Sequence, residues 1–148
     1  MSILIIPSSL RQLYFKQYHV IAKINNYILP VLIDTGSSIS CIQSKYCQEL
    51  YSLETSIKVS RIYDPKYDIT TSTIVNISFD NKFYFDLSLL VHESANLDIP
   101  VLLGIDFLDV LQYYMVTYEY LYLTINNYQL EIPRILMTQE ELIEQLEL

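Results

Sequence analysis

Most of the chain alternates apolar and polar side chains with the two-residue period of β-strands, and short polar segments interrupt the alternation. Val20 to Ile33 predicts two strands joined at Asn25-Asn26, the second of them a wholly apolar stretch from Ile28 to Ile33. Ile57 to Phe79 predicts a second hairpin. We place its turn at Asp64-Pro65-Lys66-Tyr67, because Asp and Pro stand where a type I turn prefers them. The pattern favours a mainly β protein.

The second half of the chain continues this pattern with one helical interruption. A strand over Lys82 to Val91 follows an Asp80-Asn81 turn, and Pro100 to Leu103 predicts a short buried strand. The next apolar residues predict one short helix, with Asp106 as its N-cap or as an acid near its positive end. Tyr114 to Ile132 then returns to alternating strands, with a turn at Asn126-Asn127.

The end of the chain has a different character. Pro133 breaks the last strand, and Thr138 with Glu141 forms a capping box that predicts a short C-terminal helix. Four of the chain's acids lie in its last nine residues, namely Glu140, Glu141, Glu144 and Glu147. We therefore expect one domain over residues 1–136 and an acidic helix or tail over residues 137–148.

Composition narrows the possible functions. The 148 residues are 51% hydrophobic and 18% charged, which indicates a folded domain with a real core. No apolar run approaches the roughly 20 residues of a transmembrane helix, and no signal peptide is evident, so we expect a soluble intracellular protein. A net charge of -8 with scattered basic residues argues against nucleic-acid binding. Cys41 and Cys47 suggest neither a disulfide framework nor a metal site, and we expect no cofactor.

Only two glycines occur in the chain, Gly36 and Gly104, so each is expected where no other residue fits. Gly36 belongs to Asp34-Thr35-Gly36-Ser37, which directly follows the apolar strand. Gly104 ends the Val101-Leu102-Leu103-Gly104 segment. A carboxylate at the end of a buried strand needs hydrogen-bond donors or a second group that shares its proton. Asp34 is therefore the candidate catalytic residue, although a solvated Asp in a strand-end turn is the ordinary alternative.

An apolar strand ending in Asp-Thr-Gly, followed downstream by apolar-apolar-Gly and a short helix, resembles the retropepsin-like aspartic proteases. Residues 12–136 look most like the polyprotein proteases of plant pararetroviruses of the caulimovirus, badnavirus and tungrovirus type, through Leu13-Tyr14-Phe15-Lys16, Asp34 to Lys45 and Ile132-Pro133. The resemblance implies an acid-protease fold of closed or orthogonal barrel-like β-sheets. It also implies cleavage of a viral polyprotein, in the host cytoplasm or the virion.

The resemblance also implies a role for each residue of the motifs. Asp34 pairs with Asp34 of a second copy in a homodimer, Thr35 hydrogen-bonds across the dimer axis, and Gly36 hydrogen-bonds the carboxylates or the substrate. Ser37 either helps to position the carboxylate or satisfies local backbone groups. Leu103 and Gly104 form the scaffold of the second motif.

The hairpin between the two motifs corresponds to the flap that such enzymes close over substrate. Its candidate tip residues are Tyr63, Asp64, Pro65 and Tyr67, and no glycine is present there. Asp-Pro predicts a stiffer turn than glycine would, with tyrosine rings available to cover the cleft. An ordinary surface hairpin is the alternative.

Two further alternatives stay open at the level of sequence. Asp106 is the other acid near a glycine motif and is a possible intramolecular partner for Asp34, although a helix cap explains it better. A retropepsin-like fold also suits a catalytically silent dimerisation or peptide-binding module, which would have no need for Asp34.

Overall fold

A computed structural model of the protein describes residues 18–61, 64–93 and 99–135. The strands are β1 (Tyr18–Ile24), β2 (Tyr27–Ile33), β3 (Cys41–Gln43), β4 (Tyr51–Arg61), β5 (Asp64–Ser78), β6 (Phe85–His92), β7 (Val101–Leu103), β8 (Tyr113–Val116), β9 (Tyr120–Ile125) and β10 (Tyr128–Pro133). One short helix, α1 (Ile105–Leu108), lies between β7 and β8. The mainly β fold predicted from the sequence is confirmed.

The larger sheet closes on itself as a barrel. Its strand order is β1-β2-β7-β3-β6-β5-β4, and β5 also pairs with β1 through Lys23 with Ser78 and Ile24 with Ile77. The β2–β7 and β3–β6 pairs are parallel, whereas the remaining pairs are antiparallel. β4 is left outside the closed circuit, paired with β5. Closure removes exposed edges from all the strands of the circuit.

The barrel and the smaller sheet, β10-β9-β8, share one hydrophobic core. Val20, Val31 and Val75 are fully buried inside the barrel, and Leu121 and Leu123 of β9 join the same cluster. The alternation seen in the sequence therefore directs one face of each strand into this core. Phe107 of α1 is buried as well, which fixes the helix against the barrel.

Two predicted asparagine turns are confirmed. Asn25 and Asn26 have φ angles of 49° and 77°, and Asn126 and Asn127 have φ angles of 50° and 64°. Consecutive left-handed residues make the tight hairpin turn that matches strand twist, and asparagine tolerates that conformation better than most residues.

The hairpin of β4 and β5 differs from its predicted form. Asp64 pairs with Arg61, so β5 already begins at Asp64, and the Asp64–Tyr67 turn prediction was wrong. Pro65 and Tyr67 lie in the same strand, and Tyr63 lies outside the described residues.

Two other elements differ in their bounds from the sequence prediction. β6 begins at Phe85 rather than Lys82, because the Lys82 and Phe83 N–H groups donate to Asp80 Oδ1, each at 2.9 Å, and so belong to the turn. The tyrosine-rich stretch divides into β8 and β9 at Thr117, whose Oγ1 donates to the Tyr120 carbonyl at 2.9 Å. The predicted C-terminal helix lies outside the described residues.

Candidate active site

Asp34 lies at the end of β2, where the chain leaves the barrel. Its backbone N–H donates to the Leu103 carbonyl of the parallel strand β7 at 2.9 Å. Ile33 is buried, Asp34 is half-buried, and Thr35 and Gly36 are exposed. The barrel therefore holds the base of the loop while the carboxylate reaches the surface.

The loop itself orients the carboxylate. The Gly36 N–H donates to Asp34 Oδ1 at 2.9 Å, and the Ser37 N–H donates to the Asp34 carbonyl at 3.1 Å. A Cβ on Gly36 would lie 3.2 Å from Asp34 Oδ1, closer than most real contacts of that kind. Neither glycine of the chain has a positive φ. The close approach of the Asp34 carboxylate, rather than the backbone conformation, therefore explains why this position holds a glycine.

Gly104 makes an even closer approach on the other side of the loop. A Cβ at this position would lie 2.5 Å from the carbonyl oxygens of both Ser37 and Ile39. Those atoms are backbone and have little freedom to move away. The absence of a side chain thus lets the segment after β7 pack directly against the Asp34 loop, and the Ile105 N–H donates to the Ser37 carbonyl at 2.8 Å.

A hydrogen-bond network ties the far end of the loop to α1. The Gly104 N–H donates to Ser40 Oγ at 2.8 Å, and Ser40 Oγ donates to Asp106 Oδ1. The Ser40 N–H donates to Asp106 Oδ2 at 3.0 Å. Ser40 is only 3% exposed and its bond with Gly104 is buried, whereas Asp106 is exposed, so water competes only at the carboxylate end of the network.

This network corrects the expected role of Asp106. Gly104 occupies the N-cap position of α1 and makes no side-chain capping bond, whereas Asp106 lies in the first turn. Both oxygens of the Asp106 carboxylate accept hydrogen bonds from Ser40, and Oδ1 also accepts the Phe107 N–H at 2.8 Å. The prediction that Asp106 is the N-cap was therefore wrong. The alternative prediction, that Asp106 is an acid near the positive N-terminal end of the helix, is confirmed.

Ser40 was missed in the sequence, where Ser37 drew attention instead. In the structure, Ser37 Oγ donates to the Ile39 carbonyl at 2.9 Å, a local backbone contact. The available signal for Ser40 was a hydroxyl residue directly before the apolar strand Cys41–Gln43. A single small polar residue at a strand start does not reveal a partner 66 positions away.

A second polar cluster lies at the start of β1, away from the Asp34-Thr35-Gly36 motif in the sequence. The guanidinium of Arg134 lies 4.8 Å from the ring centre of Tyr18 and 5.2 Å from that of Tyr118. Burial and then the charge of Arg134 lower the pKa of His19 to about 4, and burial raises the pKa of Tyr18 to about 12. Burial likewise lowers the pKa of Arg134. The cluster therefore holds one cation beside a neutral imidazole.

Among residues 18–61, 64–93 and 99–135, no group of three His, Cys, Asp or Glu side chains is arranged to hold a metal ion. In that part of the chain no helix has the length and apolar character to cross a membrane.

Solved structures of other proteins share the fold of this chain. The chain is similar to the retroviral protease-like domain of Ddi1 from Leishmania major, with a TM-score of 0.56 and 15% identity, over 81% of this chain and 94% of that one. It is also similar to a retropepsin-like aspartic protease from Rickettsia conorii, with a TM-score of 0.51 and 16% identity, over 82% and 85% of the two chains. At these identities the likeness shows the fold alone.

Sequence comparison identifies viral relatives. No model of a known protein family matches the chain. The chain is 30% identical over 129 residues to uncharacterized protein 7 of soybean chlorotic mottle virus, covering 86% of this chain and 82% of that protein. It is also 30% identical over 136 residues to a putative polyprotein CP of cassava vein mosaic virus, covering 82% of this chain and 10% of that protein. The chain therefore belongs to the family of the soybean chlorotic mottle virus protein, is distantly homologous to the cassava vein mosaic virus polyprotein, and has the retropepsin-like fold.

Proposed function

We propose that the chain is an aspartic endopeptidase that processes a viral polyprotein, with one Asp34 from each protomer of a homodimer. The observation that carries the proposal is the fixed carboxylate at the end of β2, oriented by the Gly36 N–H at 2.9 Å. A half-buried carboxylate on a rigid, exposed loop is arranged for chemistry at the surface rather than for packing.

The mechanism needs two carboxyl groups that share one proton. The ionised Asp34 takes a proton from a water molecule, and the protonated one polarises the substrate carbonyl and later protonates the leaving amine. The proton belongs to the pair, because two adjacent carboxylates repel each other. No metal ion or nucleophilic side chain enters this reaction.

The second carboxyl comes from another copy of the chain. Asp106, the alternative partner within the chain, has both oxygens bound by Ser40. A two-fold axis beside the Asp34 loop supplies an identical carboxylate instead. In this dimer Thr35 bonds across the axis, Gly36 orients the carboxylates and Ser37 supports the loop backbone.

The β4–β5 hairpin is the proposed flap over the substrate. The flap candidates Tyr63, Asp64, Pro65 and Tyr67 would cover an extended peptide, and the last three of them belong to β5. An extended substrate fits because backbone pairing with strands recognises peptides largely irrespective of sequence. The polyprotein of a plant pararetrovirus is the substrate class that the viral relatives suggest.

The decisive test is Asp34→Asn in a peptide-cleavage assay on a polyprotein fragment. The variant should fold, by circular dichroism, and should lose hydrolysis, because an amide neither accepts the water proton nor shares one. Pepstatin-like inhibitors should block the unmodified protein, and chelators should not. Hydrolysis by the folded variant would refute the mechanism.

The homodimer has its own test. Activity per chain should fall on dilution below the dimer dissociation constant, because mass action sets the dimer fraction. Excess Asp34→Asn protomer should suppress activity beyond simple dilution, since heterodimers hold one carboxylate. A chain that dimerises and binds peptide without cutting it would instead be the catalytically silent module.

A further inference from the structure

The outer face of β1 carries apolar side chains around one lysine. Buried inward residues alternate with outward ones along this strand, so Ile21 and Lys23 lie on its outer face. Lys23 pairs with Ile28 of β2, and its Nζ lies 5.8 Å from the ring centre of Tyr84. Ile28 is 59% exposed and Tyr84 is 41% exposed. We call these four residues the outer β1 surface, an apolar patch with one cation at its centre.

The outer β1 surface has a rigid support. Asn25, in the turn after β1, is buried, and its N–H donates to the Asn76 carbonyl at 3.0 Å. The Asn76 N–H donates in return to Asn25 Oδ1 at 3.0 Å. Lys23 also pairs with Ser78 of β5. A partner therefore meets a preformed surface, and little free energy is spent on ordering it.

The described chain ends beside this face. The Ile135 N–H donates to the His19 carbonyl of β1 at 2.8 Å. By alternation His19 lies on the same face as Ile21 and Lys23, yet it is only 3% exposed. The chain that follows β10 therefore reaches β1 next to its outer face.

The acidic segment, residues 137–148, follows almost directly and lies outside the described residues. Its sequence predicts a short helix with Leu142, Ile143 and Leu146 on one face and four glutamates elsewhere. A helix of about three turns is marginal in water on its own. Its stability therefore depends on a surface that covers the apolar face.

The acidic segment is long enough to reach the outer β1 surface. Lys23 is four residues beyond His19, which is roughly 13 Å along a strand. Residues 136 and 137 span up to roughly 7 Å, and a helix over the eleven residues 138–148 is roughly 16 Å long. A segment that runs from Ile135 along β1 therefore places its glutamates level with Lys23.

We propose that the acidic segment binds the outer β1 surface of its own chain as an amphipathic helix, with its apolar face on Ile28 and Tyr84 and its glutamates toward Lys23. Charge favours this position, because Lys23 is one of nine basic residues in a chain with 17 acids. The short connection to Ile135 favours the same chain over a second copy, since a short tether gives an effective concentration on the order of millimolar.

A carbodiimide tests the contact in the full chain, because it joins a carboxylate to a lysine that touches it. Protein that migrates as a single chain should contain an amide link between Lys23 and a glutamate of residues 140–147, identified by peptide mass spectrometry. Lys58 is the matched control, because it is exposed on β4 and should form no link to that segment. Absence of the Lys23 link, or its presence only between two chains, would overturn the proposal.

Substitutions on both sides of the contact test its apolar part. Leu142→Ser with Leu146→Ser keeps every acid of the segment and removes most of its apolar face, so the yield of the Lys23 link should fall roughly tenfold or more. Ile28→Ser should lower the yield as well. Ile74→Ser is the matched control, because Ile74 is 54% exposed on β5, outside the outer β1 surface. An equal yield in all these proteins would show that the link reflects charge alone, and it would overturn helix docking.

The tests separate this inference from the proposed function. Lys23 and Ile28 lie at the hairpin end of β1 and β2, whereas Asp34 follows the opposite end of β2. Leu142→Ser with Leu146→Ser should therefore leave peptide cleavage by the dimer unchanged. An Asp34→Asn protein that has lost hydrolysis should still form the Lys23 link, and failure of the link in an active protein overturns the docking alone.

Discussion

Replacing His19 should change how the stability of the protein depends on pH. His19 is 3% exposed on β1, and burial, followed by the charge of Arg134, lowers its pKa from 6.5 to about 4. The folded state therefore holds this imidazole neutral at a pH where the unfolded chain protonates it. His19→Leu removes the titration and keeps the backbone carbonyl that accepts the Ile135 N–H at 2.8 Å.

Proton linkage gives the direction and the size of the change in unfolding free energy with pH. Between pH 6.5 and about 4 the unfolded state binds more protons at His19 than the folded state does, so stability falls as the pH falls. The contribution of neutral His19 is fully present above pH 6.5 and is lost by about pH 4. Each pH unit between these two pKa values lowers the unfolding free energy by about 1.4 kcal/mol, so the total loss of stability is about 3 kcal/mol.

Urea unfolding at pH 7.5, 6, 5 and 4 measures this loss, at one protein concentration because the proposed dimerisation would contribute to stability. The unfolding free energy of the unmodified protein minus that of His19→Leu should decrease by about 3 kcal/mol over this range. His19→Gln, which is polar but also does not titrate, should give the same pH-dependent difference. A difference that stays constant from pH 7.5 to 4 would refute the neutral buried imidazole.

Three shorter predictions concern the Asp34 loop. Gly104→Ala should cost several kcal/mol in urea unfolding, because its Cβ would lie 2.5 Å from two backbone carbonyl oxygens, and wild-type stability would contradict that contact. Ser40→Ala should cost about 1–3 kcal/mol by the same measurement, since it leaves the buried Gly104 N–H without its acceptor. The rate of peptide cleavage should follow a bell-shaped pH profile with a mildly acidic maximum, because the Asp34 pair needs one shared proton, and a rate still rising above neutral pH would indicate a different base.

The local turn chemistry made much of the barrel predictable. The Asn25-Asn26 pair correctly predicted the turn of the β1–β2 hairpin, and the apolar stretch before Asp34 correctly predicted the strand β2. The scarcity of glycine was equally informative. Gly104 proved to be a position where a Cβ would meet two carbonyl oxygens, as the reasoning from two glycines required.

The parts that sequence reasoning missed depend on long-range pairing. Asp-Pro has the composition of a turn, yet Asp64 pairs with Arg61 because the opposite strand extends that far. The break between β8 and β9 has no glycine or proline to announce it, and a threonine turn at Thr117 makes it. Ser40 and Asp106 are 66 positions apart, so only the closed barrel brings them together. Such partners are set by topology rather than by local pattern.

One short segment supports the Asp34 loop at two places. Gly104 packs against the loop backbone, and the Asp106 carboxylate accepts hydrogen bonds from Ser40 at the far end of the loop. Phe107 and Leu108 are buried and fix α1 in the core, so the loop is attached to a rigid support. If two Asp34 carboxylates share one proton in the proposed dimer, this support must hold each of them in position before they meet.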